Sequence, residues 1–178
     1  MPHLTNISSD PMRVIVDTRE QVPWVFPGYL ATVRRKKLNA GDYALEGDDK
    51  FAVERKSLDD FIGSITDDIR WDRLQNELQR MTDAGFIARV IIVEGAYNDI
   101  FTGQYTGNMP AHRILARLYR LIMDGICVLF AGDAVMATGL ACGLLMARRE
   151  MIEKEKDESY STTRRDRTRQ GNTLSQDG

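Results

Sequence analysis

The sequence predicts a single α/β domain, and three observations carry that expectation. Residues 13–17, 88–93 and 126–130 are short runs dominated by Val, Ile and other apolar side chains, the pattern of buried strands. A helical pattern at 114–123 lies between the last two, and strand, helix, strand implies a parallel pair with a right-handed crossover. An acidic turn at 46–50 separates two extended segments, as in an antiparallel hairpin. With 178 residues and 43% hydrophobic content there is chain for one domain with a core, and no second full domain is expected.

The elements follow in order. Residues 1–11 are polar with two prolines and read as a flexible leader; 13–17 is a strand that ends in an acid, Asp17. Pro23, Pro27 and Gly28 punctuate the next stretch, 29–33 and 37–39 look extended, and Gly41-Asp42 marks a turn. The hairpin arms are 43–45 and 51–56. Ser57 opens a short helix with Asp60 in a capping-box-like place and Leu58, Phe61, Ile62 and Ile65 on its apolar face. Trp71, Leu74, Leu78 and Met81 recur at three and four through a second helix, 69–84, closed by Gly85. The helix at 134–149 is apolar almost all round, so it packs against the sheet or against another copy, and it is too short to span a bilayer. Residues 150–178 alternate in charge without an apolar period and read as a frayed helix end running into a disordered tail, with the basic stretch 164–169 at most a nonspecific DNA tether.

Charge and composition exclude several classes. Lys+Arg total 24 against 26 Asp+Glu, so any nucleic-acid contact must rest on local charge. Cys127, Cys142, His3 and His112 have no zinc-ribbon spacing, and two unpaired-looking cysteines suit a reducing cytosol. No basic-then-apolar leader is visible, so a cytoplasmic location is expected and no membrane association. No Gly-x-x-x-x-Gly-Lys-Ser/Thr loop occurs, which argues against a fused ATP-driven helicase.

Four acids stand at structured or turn positions: Asp17 at a strand end, Asp42 after Gly41, Glu54 in a strand and Asp60 at a helix start. Side chains at i and i+2 of a strand share a face, so Glu54 and Lys56 point one way and Arg55 the other. Hydrolysis of a phosphodiester at neutral pH needs oxygen ligands for a hard cation and a positive group near the attacking water or the scissile phosphate. Carboxylates plus Lys56 meet that need.

The strings Val16-Asp17-Thr18-Arg19-Glu20, Gly41-Asp42-Tyr43 and Val53-Glu54-Arg55-Lys56-Ser57-Leu58-Asp59-Asp60 together resemble the XPF-type nuclease domain, whose hallmark is Glu-Arg-Lys-x-x-x-Asp. Similar strings at 62–64, 70–74, 93–95 and 130–133 extend the resemblance over roughly residues 12–149. It implies a restriction-endonuclease-like fold, a mixed central sheet flanked by helices, and Mg²⁺- or Mn²⁺-dependent cleavage of branched DNA in repair, recombination or fork processing. It places Asp42, Glu54 and Asp60 at metal positions, Lys56 at the catalytic lysine, and Asp17, Arg19, Glu20 and Arg55 at supporting active-site positions. It also implies a homodimer through the nuclease domain and a nucleoid-associated or nuclear setting according to host. Nothing after Glu150 has the apolar content for the helix-hairpin-helix pair many relatives carry, so a separate DNA-gripping partner is expected.

Blander readings stand beside these. Asp60 also suits a helix cap, Asp42 a turn, and Glu54-Arg55-Lys56 an exposed strand, while Arg19 also suits a simple pairing with Asp17 or Glu20. The run Arg34-Arg35-Lys36-Lys37 is either a solvated face or a phosphate contact. Arg70, Arg73 and Arg80 either extend a DNA surface or pair with Glu77 and its neighbours. Trp71 reads as core. The small residues Ala137, Gly139, Ala141 and Gly143 suit a dimer contact or internal packing. Rival functions are a catalytically silent DNA-binding domain, or partner subunit, and a sequence-specific duplex cutter.

Overall fold

The computed structural model describes residues 10–173, with side chains up to residue 156 and at 158. Positions 1–9 of the expected leader, the side chains of the basic stretch 164–169 and residues 174–178 lie outside the described residues. In chain order the elements are β1 (Met12–Val16), β2 (Ala31–Arg35), β3 (Tyr43–Leu45), β4 (Val53–Ser57), α1 (Leu58–Thr66), α2 (Asp68–Asp83), β5 (Arg89–Glu94), α3 (Tyr97–Thr102), α4 (Ala111–Met123), β6 (Ile126–Phe130) and α5 (Ala134–Thr173).

The six strands form one mixed sheet in the order β2-β1-β3-β4-β5-β6. β1 pairs parallel with β2 and antiparallel with β3, β3 pairs antiparallel with β4, and β4-β5-β6 are parallel. The parallel half is joined by α1-α2 and by α3-α4, as parallel crossovers require. Strand β5, central in this half, buries four successive residues, Val90 to Val93, because helices cover both of its faces.

Alternation along the strands divides the core in two. Val14, Val16, Tyr43, Val53, Val90 and Ile92 face Ala137, Ala141 and Leu145 of α5. Ile91 and Val93 face Phe61, Ile65, Leu78, Leu118 and others of α1, α2 and α4. Each such large apolar side chain contributes about 1.5–3 kcal/mol by leaving water. Ala137 and Ala141 thus serve internal packing, whereas Gly139 and Gly143 line an apolar cavity of about 620 Å³ beneath the loop carrying Val22, Trp24 and Val25.

Three differences from the sequence expectation have physical causes. The second strand is Ala31–Arg35, and residues 37–39 are loop, because the Leu38 N–H goes to the Asp17 carboxylate at 2.6 Å and not to a strand ladder. Helix α3 was invisible to periodicity: six residues make too few turns for an apolar repeat, and the Asp99 carboxylate accepts the Ala96 N–H at 2.8 Å to start it. Helix α5 continues past residue 149 to Thr173, farther than the frayed helix end expected before the disordered tail. Arg148 on α5 makes two bonds to Asp48, Nε to Oδ2 at 2.8 Å and Nη2 to Oδ1 at 3.0 Å, and ties this helix to the β3–β4 turn. No helix among the described residues is long and apolar enough to cross a membrane.

Candidate active site

The site is built where β3 begins and β4 ends. Gly41 takes φ of 72°, and a Cβ there would stand 2.7 Å from Ala52 Cβ, so only glycine admits this close turn before Asp42. The turn is held by Asp42 N–H donating to Val53 O at 2.9 Å and Asp17 N–H donating to Asp42 O at 2.8 Å. Asp42 Oδ2 then accepts the Arg55 N–H at 2.8 Å, which sets its carboxylate against β4 at the residue between Glu54 and Lys56 in sequence.

On β4 the pleat does what its spacing predicts. Glu54 and Lys56 share the face toward α1 and α2, with Lys56 Nζ donating to Glu54 Oε1 at 3.0 Å, and the two side chains are 15% and 16% exposed. Burial pushes the Asp42 carboxyl up to about 6, with the Glu20 charge adding to it and the Arg55 N–H and Lys56 opposing. Burial likewise pushes Glu54 up to about 7, the Asp42 charge adding to it and Lys56 opposing. Two carboxyls that resist ionising side by side are held together by this fold, and a positive ion is what relieves them.

Arg55 points to the opposite face and is itself held there. Its Nε and Nη2 donate to the two oxygens of Glu94, and its Nη1 lies 3.3 Å from Glu20 Oε1. Glu94 also accepts the Trp24 indole N–H at 2.5 Å. Glu20 and Arg55 are therefore behind the sheet from Glu54 and Lys56.

Asp17 is fully buried and accepts from Arg19 N and Nε at 2.7 Å, from Arg19 Nη2 at 3.1 Å and from Leu38 N. The Arg19 guanidinium holds the Asp17 carboxyl down at about 2. This pair fixes the loops around Asp42.

Asp60 is not drawn into the Asp42–Glu54 couple. Its side chain is 66% exposed, bonds the Ser57 hydroxyl at 2.9 Å and lies 3.3 Å from Arg70 Nη2, while its N–H donates to Ser57 Oγ. Gly63 matters here, since a Cβ on it would collide with the Arg70 guanidinium as that group crosses to Asp60. Asp59 bonds Thr106 and lies outside the site. Trp71 is half-buried with Arg117 4.7 Å above its ring. In the basic run, Arg34 pairs with Glu46 and Arg35 donates to the carbonyls of Asp17, Thr18 and Glu20, so the two arginines are engaged within the fold.

Two residues were not assigned to the site from sequence. Glu94 appeared only within a matching string, because strand position alone did not show its ion pair. Glu77 was weighed only as a helix-surface partner; it lies one residue from buried Leu78, and its charge raises both Asp42 and Glu54. A charge at the edge of a buried stripe was the signal available.

Asp42 and Glu54 are hard oxygen donors of the kind Mg²⁺ and Mn²⁺ take, and their mutual repulsion suits a cation, so the residues fit one. Among the described residues no group of three potential ligands is gathered tightly enough to enclose a metal.

Comparison with known proteins agrees with this fold. The "Putative ATP-dependent RNA helicase MJ1505" of Methanocaldococcus jannaschii is 27% identical over 151 residues, 84% of this chain but 17% of the relative's own length. The structure of XPF from Aeropyrum pernix superposes with a TM-score of 0.60 at 26% identity, over 82% of this chain and 69% of that one. Residues 16–144 match the ERCC4 domain. The stretch contains the Gly41-Asp42 turn, the Glu54-Arg55-Lys56 strand and Asp60, and the chain belongs to the ERCC4 domain family of XPF-type nuclease domains.

Proposed function

We propose that this chain is a divalent-metal-dependent DNA endonuclease that hydrolyses phosphodiester bonds at flaps, forks or other branched DNA. The observation that carries the reading is the convergence of Asp42, Glu54 and Lys56 on one face of the sheet start, with both carboxyls displaced upward. Asp42 and Glu54 hold the cation. Bound Mg²⁺ or Mn²⁺ supplies Lewis-acid stabilisation of the charge that develops on the phosphate oxygens. Lys56, positioned by Glu54, orients the attacking water and presents positive charge toward the scissile phosphate. Arg55, locked by Glu94 behind the sheet, keeps β4 in register so that its neighbours stay aimed. Asp60 retains its place in the motif but is engaged with Arg70, and we assign it to orienting that arginine toward DNA.

A second copy is the proposed occupant of the apolar surface around the cavity beside α5. Val22, Val25, Val135 and Met136 are exposed around it, supporting the homodimer that the family resemblance implies. The relative named a putative ATP-dependent RNA helicase, matched over a small part of its length, supports a partner of helicase type beside this nuclease unit.

The test is cleavage of end-labelled 3′-flap, 5′-flap, fork, duplex and single-stranded DNA with Mg²⁺, Mn²⁺ or chelator. Metal-dependent cutting, lost in Asp42→Asn and Glu54→Gln, is expected. Binding of branched DNA without cutting under every condition sinks catalysis and favours the silent-domain reading; cutting plain duplex at one sequence favours the restriction-type reading.

A further inference from the structure

Helix α2 turns Leu74, Leu78 and Met81 into the core, each 5% exposed or less. Glu77 stands at the edge of that stripe, half-buried. Arg73 and Arg80 lie at i−4 and i+3 from it, the spacing at which a helical glutamate ordinarily finds a cation. Glu77 pairs with neither, and among the described residues no hydrogen bond or ion pair holds its carboxylate. It lines, with Glu54, a crevice of about 10 Å³ walled by apolar side chains of α2 and β5, including Leu78 and Ile91. That volume is room for about one water-sized sphere.

This placement has an electrostatic sign. Glu77 adds negative charge where Asp42 and Glu54 already repel each other; Lys56 opposes Asp42 and Glu54, and the more distant Arg19 charge faces Asp42 and Glu77. Like charges in a partly dry site are unfavourable unless a cation joins them.

We propose that Glu77 completes the carboxylate set for the divalent cation, reaching it across this crevice, so that ligands come from the turn before β3, from β4 and from α2. This rests on the reading that Asp42 and Glu54 hold the cation. Because the three do not already enclose a metal, a rotamer change of Glu77 accompanies binding. Gln at this position keeps the size and removes the charge.

The experiment is calorimetric titration of the metal-free full chain with Mn²⁺, for wild type, Glu77→Gln and Asp42→Asn, with a thermal melt of each in chelator at pH 8. Glu77→Gln is expected to weaken Mn²⁺ binding by roughly 10- to 100-fold. It is also expected to raise the melting temperature of the metal-free chain, an increase that loss of a packing role does not give. If Asp42→Asn loses Mn²⁺ and Glu77→Gln binds as wild type, Glu77 is outside the ligand set and the site reading stands. If neither variant changes Mn²⁺ binding, or wild type binds none, the reading of the site itself falls. A lowered melting temperature in Glu77→Gln with unchanged affinity assigns it to structure and overturns the proposal.

Discussion

Arg55 grips Glu94 through two parallel hydrogen bonds of 2.8 Å on the sheet face opposite the Glu54–Lys56 pair. One strand therefore carries its proposed catalytic pair on one face and its anchor on the other, and the anchor lies between the two members of that pair in sequence.

Glu94→Ala leaves Arg55 and the Trp24 N–H without their shared acceptor in a site where these side chains are at most 20% exposed. Loss of one partner of such a pair costs about 3 kcal/mol. The expected result in urea denaturation is that loss of stability, together with weaker cleavage from a β4 that no longer holds Glu54 and Lys56 in place.

The Arg148–Asp48 pair, 6% and 3% exposed, makes a different prediction. Arg148→Ala strands a buried carboxylate and is expected to cost about 3–5 kcal/mol, whereas the double change Arg148→Met with Asp48→Leu recovers most of it. Comparing unfolding midpoints of the single and double variants checks this, and equal losses refute it.

Asp42 and Glu54 make metal-free stability depend on pH. Their carboxyls titrate higher in the folded chain than in the unfolded one, so the fold binds more protons between about pH 4 and 7. Stability of the metal-free chain is expected to fall as pH rises through that window, relative to a Glu54→Gln variant. Added Mg²⁺ is expected to raise the melting temperature more at pH 8 than at pH 5.

Asp17 has the opposite sign. Its carboxyl is held near 2, below the ordinary value of 3.8, so its contribution is present above pH 4 and is lost as pH falls toward 2. Asp17→Asn cannot accept all four of the bonds and is expected to cost about 1–3 kcal/mol at neutral pH. Urea midpoints at pH 2 to 5 should then show a shallower acid decline in the variant.

Lys56→Met retains the length of the side chain and removes its charge. Cleavage is expected to drop by about 10²- to 10⁴-fold. Mn²⁺ binding is expected to persist, because the lysine is not a ligand; lost Mn²⁺ binding in Lys56→Met contradicts its assigned role.

Local rules made much of the molecule legible from sequence. Period-two alternation put Glu54 and Lys56 on one face and Arg55 on the other, the hairpin and the 3.6-residue stripes located most strands and helices, and the ordered motifs located Asp42. What depends on contacts far apart in the chain was not legible. Glu94 meets Arg55 from 39 residues away, Arg148 meets Asp48 from 100, and Asp17 claims the Leu38 N–H from 21. The departure of Asp60 to Arg70, and the inward turn of Glu77, were likewise decided by how α1 and α2 pack on the sheet. Sequence spacing determines which way a side chain leaves its own strand or helix; only the packing of those elements decides which charge it meets there.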